Sequence, residues 1–153
     1  MLNLKLTNNW NLKNHTTIYK KLKISIIIPT LNEKNNVSIL VKKIQKLKKK
    51  VTILFVDDAS SDGTKEEIKN LNKKYKYIKF LFRDKRMGIG SAHKAGIMWA
   101  YSKKFDICIT MDADGTHDPI KIKEVLNIFK NKKYNIISTS RFLLSSSLED
   151  WSL

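Results

Sequence analysis

Two aspartates separated by a single residue, Asp112 and Asp114, are the sharpest chemical feature of this sequence. Carboxylate oxygens without cysteine partners are typical ligands of a hard divalent cation such as Mg²⁺ or Mn²⁺. Two carboxylates at this spacing can approach one ion and the diphosphate that the ion binds. The same triplet also occurs in ordinary solvated turns. Its placement directly after an apolar run, and just before the helix start at Asp118 and Pro119, favours the metal site.

A second acidic pair, Asp57 and Asp58, follows another apolar run. A carboxylate at this point could accept a hydrogen bond from the ring N–H of a nucleobase. It could equally serve a tight turn between a strand and a helix, because Asp, Ser and Gly are the residues that such turns require. The residues that follow favour turn and cap roles: Ser60, Asp62, Gly63 and Thr64.

A cationic, glycine-containing segment follows the third apolar run. It contains Arg83, Lys85, Arg86, Gly88 and Gly90. Glycines permit a close approach of the backbone, and the cations could face a phosphate. The segment lacks the third glycine of a dinucleotide fingerprint and the Lys-Ser/Thr pair of a P-loop, so its signal is weak on its own.

Two further side chains have an ambiguous signal. His117 follows the Asp112 and Asp114 pair and is either a metal ligand or a turn residue, of which the turn residue is favoured. Cys108 lies within an apolar run, which predicts a buried structural thiol. As the single cysteine, it excludes an intramolecular disulfide and a Cys-rich zinc site.

The elements that must position these residues alternate regularly between strand and helix. Helical patterns fill the gaps between apolar runs, with a capping box predicted at Thr64 and Glu67 and an N-cap at Asp118 followed by Pro119 in the first turn. This alternation predicts an α/β fold with a parallel, Rossmann-like sheet covered on both faces. The five predicted strands are 24–28, 51–56, 78–82, 107–111 and 135–139.

In an open parallel sheet, ligands bind at the carboxyl ends of the strands. This rule predicts that one rim of the sheet collects the acidic residues that follow the apolar runs. Because like carboxylates repel, such a cluster requires a cation or hydrogen-bond donors to offset the repulsion. The predicted rim residues are Glu33, Asp57, Asp58, Asp112 and Asp114.

The 153 residues carry a formal net charge of +16, from 30 Lys and Arg against 14 Asp and Glu. Such an excess suits an anionic partner, although a bias towards Lys, Asn and Ile codons explains it about equally well. Residues 1–22 are interpreted as a polar, basic N-terminal extension without the apolar region of a secretory signal. No apolar stretch approaches the length that spans a bilayer. We expect a cytoplasmic protein, or one that is peripheral on the cytosolic face of a membrane.

Five segments, taken in order, resemble the family 2 glycosyltransferases of the GT-A fold, and among them the dolichol- and polyprenol-phosphate mannose synthases. The resemblance covers residues 23–153, which are interpreted as one glycosyltransferase domain. The segments are SIIIPTLNE (25–33), FVDDASSDGT (55–64), RDKRMGIGSAHKAG (83–96), MDADGTHDP (111–119) and STSRF (138–142). Each segment is modestly specific, and their shared order makes the resemblance strong.

The resemblance implies a role for individual positions. It implies metal binding by Asp112, Asp114 and Thr116, and a catalytic set of Asp112, Asp114 and Arg141. It also implies a nucleotide-sugar site formed by these residues: Pro29, Leu31, Glu33, Phe55, Asp57, Asp58, Asp112, Ala113, Asp114 and Arg141.

Three departures from the family pattern are visible. Leu31 stands where an aromatic is common, and Thr116 stands where an amide can help to bind the metal. The sequence also ends at Leu153, where the catalytic domains of the family continue. We therefore interpret the chain as a donor-binding part of an incomplete domain.

The implied reaction is the inverting, Mg²⁺- or Mn²⁺-dependent transfer of a sugar, most simply mannose from GDP-mannose, to a polyprenyl or dolichyl phosphate. The expected partners are that donor and acceptor, a membrane surface, and a missing C-terminal half or partner subunit, without nucleic acid. One alternative is a family 2 transferase that uses a UDP-sugar. Another is a phosphoacceptor receiver domain, which Asp57, Asp58 and Asp112 mimic, but no Lys-Pro pair follows downstream.

Overall fold

The computed structural model describes residues 22–131 and 134–139, and all structural statements below refer to them. Strands and helices alternate along this part of the chain. In chain order the elements are β1 (Ile24–Thr30), α1 (Lys34–Gln45), β2 (Val51–Asp57), α2 (Thr64–Lys74), β3 (Ile78–Phe82), α3 (Ile89–Ser102), β4 (Ile107–Thr110) and α4 (Lys121–Asn131). The first four predicted strands are confirmed, with bounds that differ by two residues or fewer.

The four strands form one parallel sheet in the order β3-β2-β1-β4. Thr30 at the end of β1 is in register with Asp57 at the end of β2, and Asp57 is in register with Phe82 at the end of β3. On the other side of β1, Ile27 is in register with Thr110. The loops that leave all four strands therefore begin at one edge of the sheet.

Helices cover both faces of the sheet, as the continuous apolar runs predicted. Alternate side chains of β1, such as Ile26 and Ile28, pack with apolar residues of α1, α2 and α4. Ile27, which points to the opposite face, packs with Ala92 and Ala100 of α3. Two-sided cover explains why every residue of β1 is buried. The edge strands β3 and β4 are only partly buried.

Close packing of α3 on the sheet depends on Gly96. A Cβ atom placed on Gly96 would lie 2.3 Å from Cγ2 of Ile27. The spacing of Ala92, Gly96 and Ala100 at every fourth residue gives α3 a narrow face of small side chains, all of them buried. This face lets the helix backbone approach the centre of the sheet.

Three local predictions were wrong. Residues 135–139 form no strand, and Ile136 is 84% exposed, because the segment pairs with none of the four strands that would supply backbone partners and burial. Cys108 is exposed, because β4 lies at the edge of the described sheet and has a neighbouring strand on one side only.

The third wrong prediction is the capping box. The Thr64 hydroxyl donates a hydrogen bond to Asp62 and accepts one from the amide of Glu33, instead of capping α2 together with Glu67. Farther along the chain, the side chain of Asp118 accepts a hydrogen bond from the amide of Ile120 at 3.0 Å, but α4 begins only at Lys121.

Some predictions fall outside the described residues. They include the N-terminal extension, of which only Leu22 is described, and the site residue Arg141. Within the described part of the chain, no helix has the length and apolar character that crossing a bilayer requires.

Candidate functional site

The loops that follow β1 and β2 are joined by a set of hydrogen bonds at the carboxyl edge of the sheet. The amide of Asn32 donates to the Ser60 hydroxyl at 2.9 Å, and the Asn32 side chain accepts from the amide of Ser61 at 3.0 Å. The amide of Glu33 donates to the hydroxyl of Thr64 at 2.9 Å. These bonds cross about thirty residues of sequence and hold the two loops as one unit.

Asp57 lies beneath this unit and is completely buried. Its carboxylate accepts hydrogen bonds from the hydroxyl of Thr30 at 3.0 Å, from the amide of Ser60 at 3.0 Å and from the hydroxyl of Ser60. Donors of this kind stabilise a buried carboxylate that would otherwise be costly to desolvate. In this arrangement Asp57 closes the turn after β2.

Asp58 fastens the loop between β3 and α3 to the end of β2. Its carboxylate accepts from Arg83 at 2.7 Å, from the amide of Met87 at 2.9 Å and from the amide of Gly88 at 2.7 Å. Burial raises the pKa of Asp58, but the Arg83 guanidinium and the two amides outweigh that effect and hold the pKa below its ordinary value. Arg83 also donates to the hydroxyl of Ser91 at 2.8 Å, which links the ion pair to the first turn of α3.

Two more rim carboxylates accept hydrogen bonds from residues of the joined loops or of the helices that follow them. Asp62 accepts from the amide of Lys34 at 3.1 Å and from the amide and hydroxyl of Thr64, and the Thr64 hydroxyl is the largest cause of its lowered pKa. Glu33 accepts from the side-chain amide of Asn36 at 2.6 Å. Both residues therefore act within the joined loops.

The loop that follows β4 carries Asp112 and Asp114 in a different setting. Asp112 keeps about 35% of its side chain exposed, and Asp114 is exposed. One oxygen of Asp114 accepts from the amide of Thr116 at 2.9 Å and from its hydroxyl at 2.8 Å, while no described residue donates to the other. The Asp112 amide donates to Nδ1 of His117 at 3.0 Å. This loop thus presents the carboxylate oxygens that internal donors leave open.

The donor chemistry of this loop fits a divalent cation that is bound together with a ligand. No group of three or more His, Cys, Asp or Glu side chains among the described residues is arranged to hold a metal by itself. Mg²⁺ is commonly held by one or two carboxylates with substrate phosphates and water completing its coordination. Asp112 and Asp114 supply that number of carboxylates, and among the described residues none donates to the second oxygen of Asp114.

Several residues predicted for the nucleotide site are buried. The side chain of Phe55 is 0% exposed and lies in the core cluster, Pro29 is buried, and Ala113 is 4% exposed. Leu31 is half-buried at the rim. Two cavities of about 390 and 950 Å³ lie elsewhere, at the amino-terminal ends of the strands beside Ile24. The rim loops therefore form an open edge of the sheet, and neither cavity includes them.

Two side-chain contacts of the site were not predicted from the sequence. The sequence pointed to Arg83 as a phosphate ligand, but its guanidinium is used by Asp58. Ser60 was assigned to turn chemistry, but it is also the donor that covers Asp57. The contact of Arg83 with Asp58 has no local signal, because the two residues are 25 positions apart and follow different strands, whereas Ser60 and Asp57 lie three residues apart in one turn.

A family model for "Glycosyl transferase family 2" matches residues 25–152. The chain therefore belongs to this family of glycosyltransferases. Two solved structures share the fold, which confirms the predicted GT-A architecture with its parallel sheet flanked by helices.

One is a mannosyltransferase from Pyrobaculum calidifontis in complex with GDP-mannose and Mn²⁺, at a TM-score of 0.55 and 20% identity. The match covers 62% of this chain and 29% of that one. The other is glucosyl-3-phosphoglycerate synthase from Mycobacterium tuberculosis with Mn²⁺, UDP and glucosyl-3-phosphoglycerate. Its TM-score is 0.58 at 18% identity, covering 84% of this chain and 47% of that one.

Curated relatives share more sequence. The chain is 29% identical over 129 residues to the polyprenol monophosphomannose synthase of Mycolicibacterium smegmatis, covering 82% of this chain and 48% of the relative. It is 34% identical over 132 residues to the dolichol-phosphate mannosyltransferase of Pyrococcus furiosus, covering 85% of this chain and 36% of the relative. The chain thus spans half or less of the length of these relatives.

Proposed function

We propose that this chain is the donor-binding part of a metal-dependent, inverting glycosyltransferase that moves mannose from GDP-mannose to a polyprenyl phosphate. The proposal depends above all on one observation. Among the rim aspartates, Asp112 and Asp114 keep oxygens to which no described residue donates, while hydrogen bonds from surrounding residues occupy Asp57, Asp58 and Asp62. The names of the relatives support the choice of mannose and of a lipid phosphate acceptor.

In this proposal, Asp112 and Asp114 hold Mg²⁺ or Mn²⁺, and the hydroxyl of Thr116 either joins them or holds a water. The bound cation would neutralise charge that develops on the departing nucleoside diphosphate. The Asp112–His117 loop positions the carboxylates, and the joined loops after β1 and β2 border the nucleotide through Leu31 and Glu33. Arg141, which lies outside the described residues, is proposed to contact the diphosphate or the acceptor phosphate.

The proposed chemistry requires no strong general base. In the reaction, the bond between the anomeric carbon and the diphosphate oxygen breaks, and its electron pair leaves with the nucleoside diphosphate. An acceptor phosphate oxygen forms the new bond from the opposite side, which inverts the configuration. Because a phosphate is already ionised near neutral pH, the acceptor needs no deprotonation. The formal charge of +16 suits contact with an anionic membrane surface, where a polyprenyl phosphate would lie.

The test measures thermal stabilisation of the chain by GDP-mannose with and without Mn²⁺. A ligand that binds the folded state at one hundred times its Kd stabilises that state by about 2.7 kcal/mol, which shifts the Tm measurably. We expect a Mn²⁺-dependent shift in the wild type and its loss in Asp114→Asn. Asp84→Asn is the matched control, because Asp84 is an exposed carboxylate in the loop after β3, at the far side of the sheet from Asp114, and its loss removes the same charge.

The same experiment addresses the base and the reaction class. UDP-glucose that stabilises the chain more strongly than GDP-mannose would favour the alternative family 2 reaction, for which the UDP-bound structural neighbour gives a precedent. A shift that is independent of Mn²⁺, or that is retained in Asp114→Asn, would contradict the proposal.

A further inference from the structure

Just after β4, the backbone amide of Asp112 donates its hydrogen bond to a side chain and not to another strand. The amide of Met111 donates to the carbonyl of Ile27 at 3.1 Å and is the last donor from this segment to β1. Since successive amides of a strand point in opposite directions, the amide of Asp112 points away from β1, where β4 has no described neighbour. Nδ1 of His117 accepts this amide at 3.0 Å and so closes the loop from Asp112 to His117.

This hydrogen bond distinguishes the two nitrogens of the neutral imidazole. A nitrogen that accepts an N–H has a lone pair and no proton, so the proton of a neutral His117 is on Nε2. Nδ1 also lies 3.5 Å from Oδ2 of Asp112. It cannot donate to that oxygen while it accepts the amide, and the shorter distance favours the amide. The closer contact of Nδ1 is therefore with the amide of Asp112 and not with its carboxylate.

We propose that His117 is a positioning residue for the cation site: it orients Asp112 through its backbone amide and does not itself bind the metal. Nδ1 is the ring nitrogen that lies against Asp112, and it already accepts the amide of that residue at 3.0 Å, so it is not open to a cation there. The inference rests on the proposed function, because it assumes a cation at Asp112 and Asp114. It resolves the choice between a ligand and a turn residue at position 117 in favour of a turn residue with a defined acceptor atom.

Three substitutions separate the two ring nitrogens. His117→Asn places an amide oxygen near the position of Nδ1 and keeps an acceptor for the Asp112 amide. His117→Gln places its amide near Nε2 and loses that acceptor, and His117→Leu removes both. The measurement is the affinity for Mn²⁺ in the presence of saturating GDP, followed by the electron paramagnetic resonance signal of free Mn²⁺. We expect Asn to stay within about threefold of the wild type, and Gln and Leu to weaken binding by about tenfold or more, as partners of metal ligands typically do.

The outcomes divide clearly. If Asn weakens Mn²⁺ binding as much as Leu does while Gln preserves it, Nε2 is the important atom and the proposal is overturned. If all three variants bind like the wild type, the hydrogen bond has no role in the site and the proposal is again overturned.

A metal-free measurement distinguishes failure of this inference from failure of the proposed function. Nitrogen-detected NMR of the wild type reports whether Nδ1 of His117 lacks a proton, and hydrogen exchange reports whether the Asp112 amide is protected. We expect protection in the wild type and in His117→Asn, and its loss in His117→Leu. Protection in a wild type that binds no Mn²⁺ with GDP would overturn the proposed function and the positioning role together. A protonated Nδ1 or an unprotected amide would overturn this inference alone.

Discussion

Substitution of Gly96 by alanine tests whether packing of α3 on the sheet controls both stability and the rim. The new Cβ would lie 2.3 Å from Cγ2 of Ile27, whereas ordinary contacts begin at about 3.4 Å. Ile27 is fully buried in the central strand β1, and Gly96 is buried on the face of α3. Neither residue can turn its side chain into solvent, so the helix must move away from the sheet by roughly an ångström.

The expected cost can be worked from two opposing contributions. Alanine stabilises a helix interior by about 1 kcal/mol relative to glycine. Overpacking of a well-packed core costs about 1–3 kcal/mol, and so short a contact belongs at the upper end of that range. We therefore expect Gly96→Ala to lower the free energy of unfolding by about 2 kcal/mol. In a domain of this size, that change lowers the Tm by about 4–8 °C.

A double-mutant cycle identifies the responsible atom. Ile27→Ala removes Cγ2, so Gly96→Ala should cost at least about 1 kcal/mol less in that background. Ile27→Val is the matched control, because valine keeps both Cγ positions and loses only Cδ1. Urea denaturation followed by circular dichroism gives the four free energies of each cycle. Additive free energies with Ile27→Ala, or a Gly96→Ala variant as stable as the wild type, would refute this account of the packing.

The substitution should also reach the rim. Gly88 immediately precedes α3, and its amide is held by Asp58 at 2.7 Å. Displacement of α3 would strain this bond, so we expect hydrogen exchange at the amides of Met87 and Gly88 to accelerate in Gly96→Ala. Unchanged exchange at both amides in a destabilised variant would indicate that the loop moves independently of the helix.

Three further predictions follow from individual side chains. Asp58→Asn leaves the guanidinium of Arg83 without its partner and should lower the free energy of unfolding by about 3 kcal/mol at pH 7. Because folding lowers the pKa of Asp58, the stability that this carboxylate contributes is complete above its unfolded pKa near 3.9 and is lost as the pH falls through its folded pKa. Urea denaturation between pH 7 and 2.5 should therefore show the unfolding free energies of the wild type and the variant converging in acid. Cys108 should react with iodoacetamide in the folded chain but more slowly than a free thiol, since desolvation raises its pKa, and mass spectrometry of timed samples checks this rate. EDTA should leave the Tm unchanged in the absence of nucleotide, because two carboxylates alone hold a divalent cation weakly, and a fall of several degrees would indicate a preformed metal centre.

The sequence was sufficient for most of the fold because its signals there are local. The β-branched runs of β1 and β2 end near Pro29 and Asp57, so their limits could be read to within two residues. The run at 135–139 has the same local character, but a strand also needs a neighbour to pair with, and the sequence does not contain that information. The exposed Ile136 shows the result.

The site was less predictable because its hydrogen bonds connect different loops. The position of the rim followed from the rule for parallel sheets, and the loops of Asp57, Asp58 and Asp112 do leave the carboxyl edge of the sheet as that rule requires. What each carboxylate does there depends on donors up to 30 residues away, such as the amide of Gly88 for Asp58. The predicted capping box at Thr64 was wrong for the same reason, since the Thr64 hydroxyl accepts a hydrogen bond from the amide of Glu33, which belongs to another loop.

The rim carboxylates differ in how many hydrogen bonds they accept from the protein. This difference explains how repulsion at so acidic an edge can be offset by groups of the chain itself. Repulsion between Asp57, Asp58 and Asp62 is offset by hydroxyl groups and amides of β1 and the joined loops and by the guanidinium of Arg83 from the loop after β3. Those bonds make the loops rigid before any ligand arrives, and a preformed site loses less conformational entropy on binding. Asp112 and Asp114 lie in the loop after β4, where His117 and Thr116 fix the backbone and leave carboxylate oxygens exposed. The oxygens that would bind a cation are therefore the ones that the described hydrogen bonds of the rim do not use.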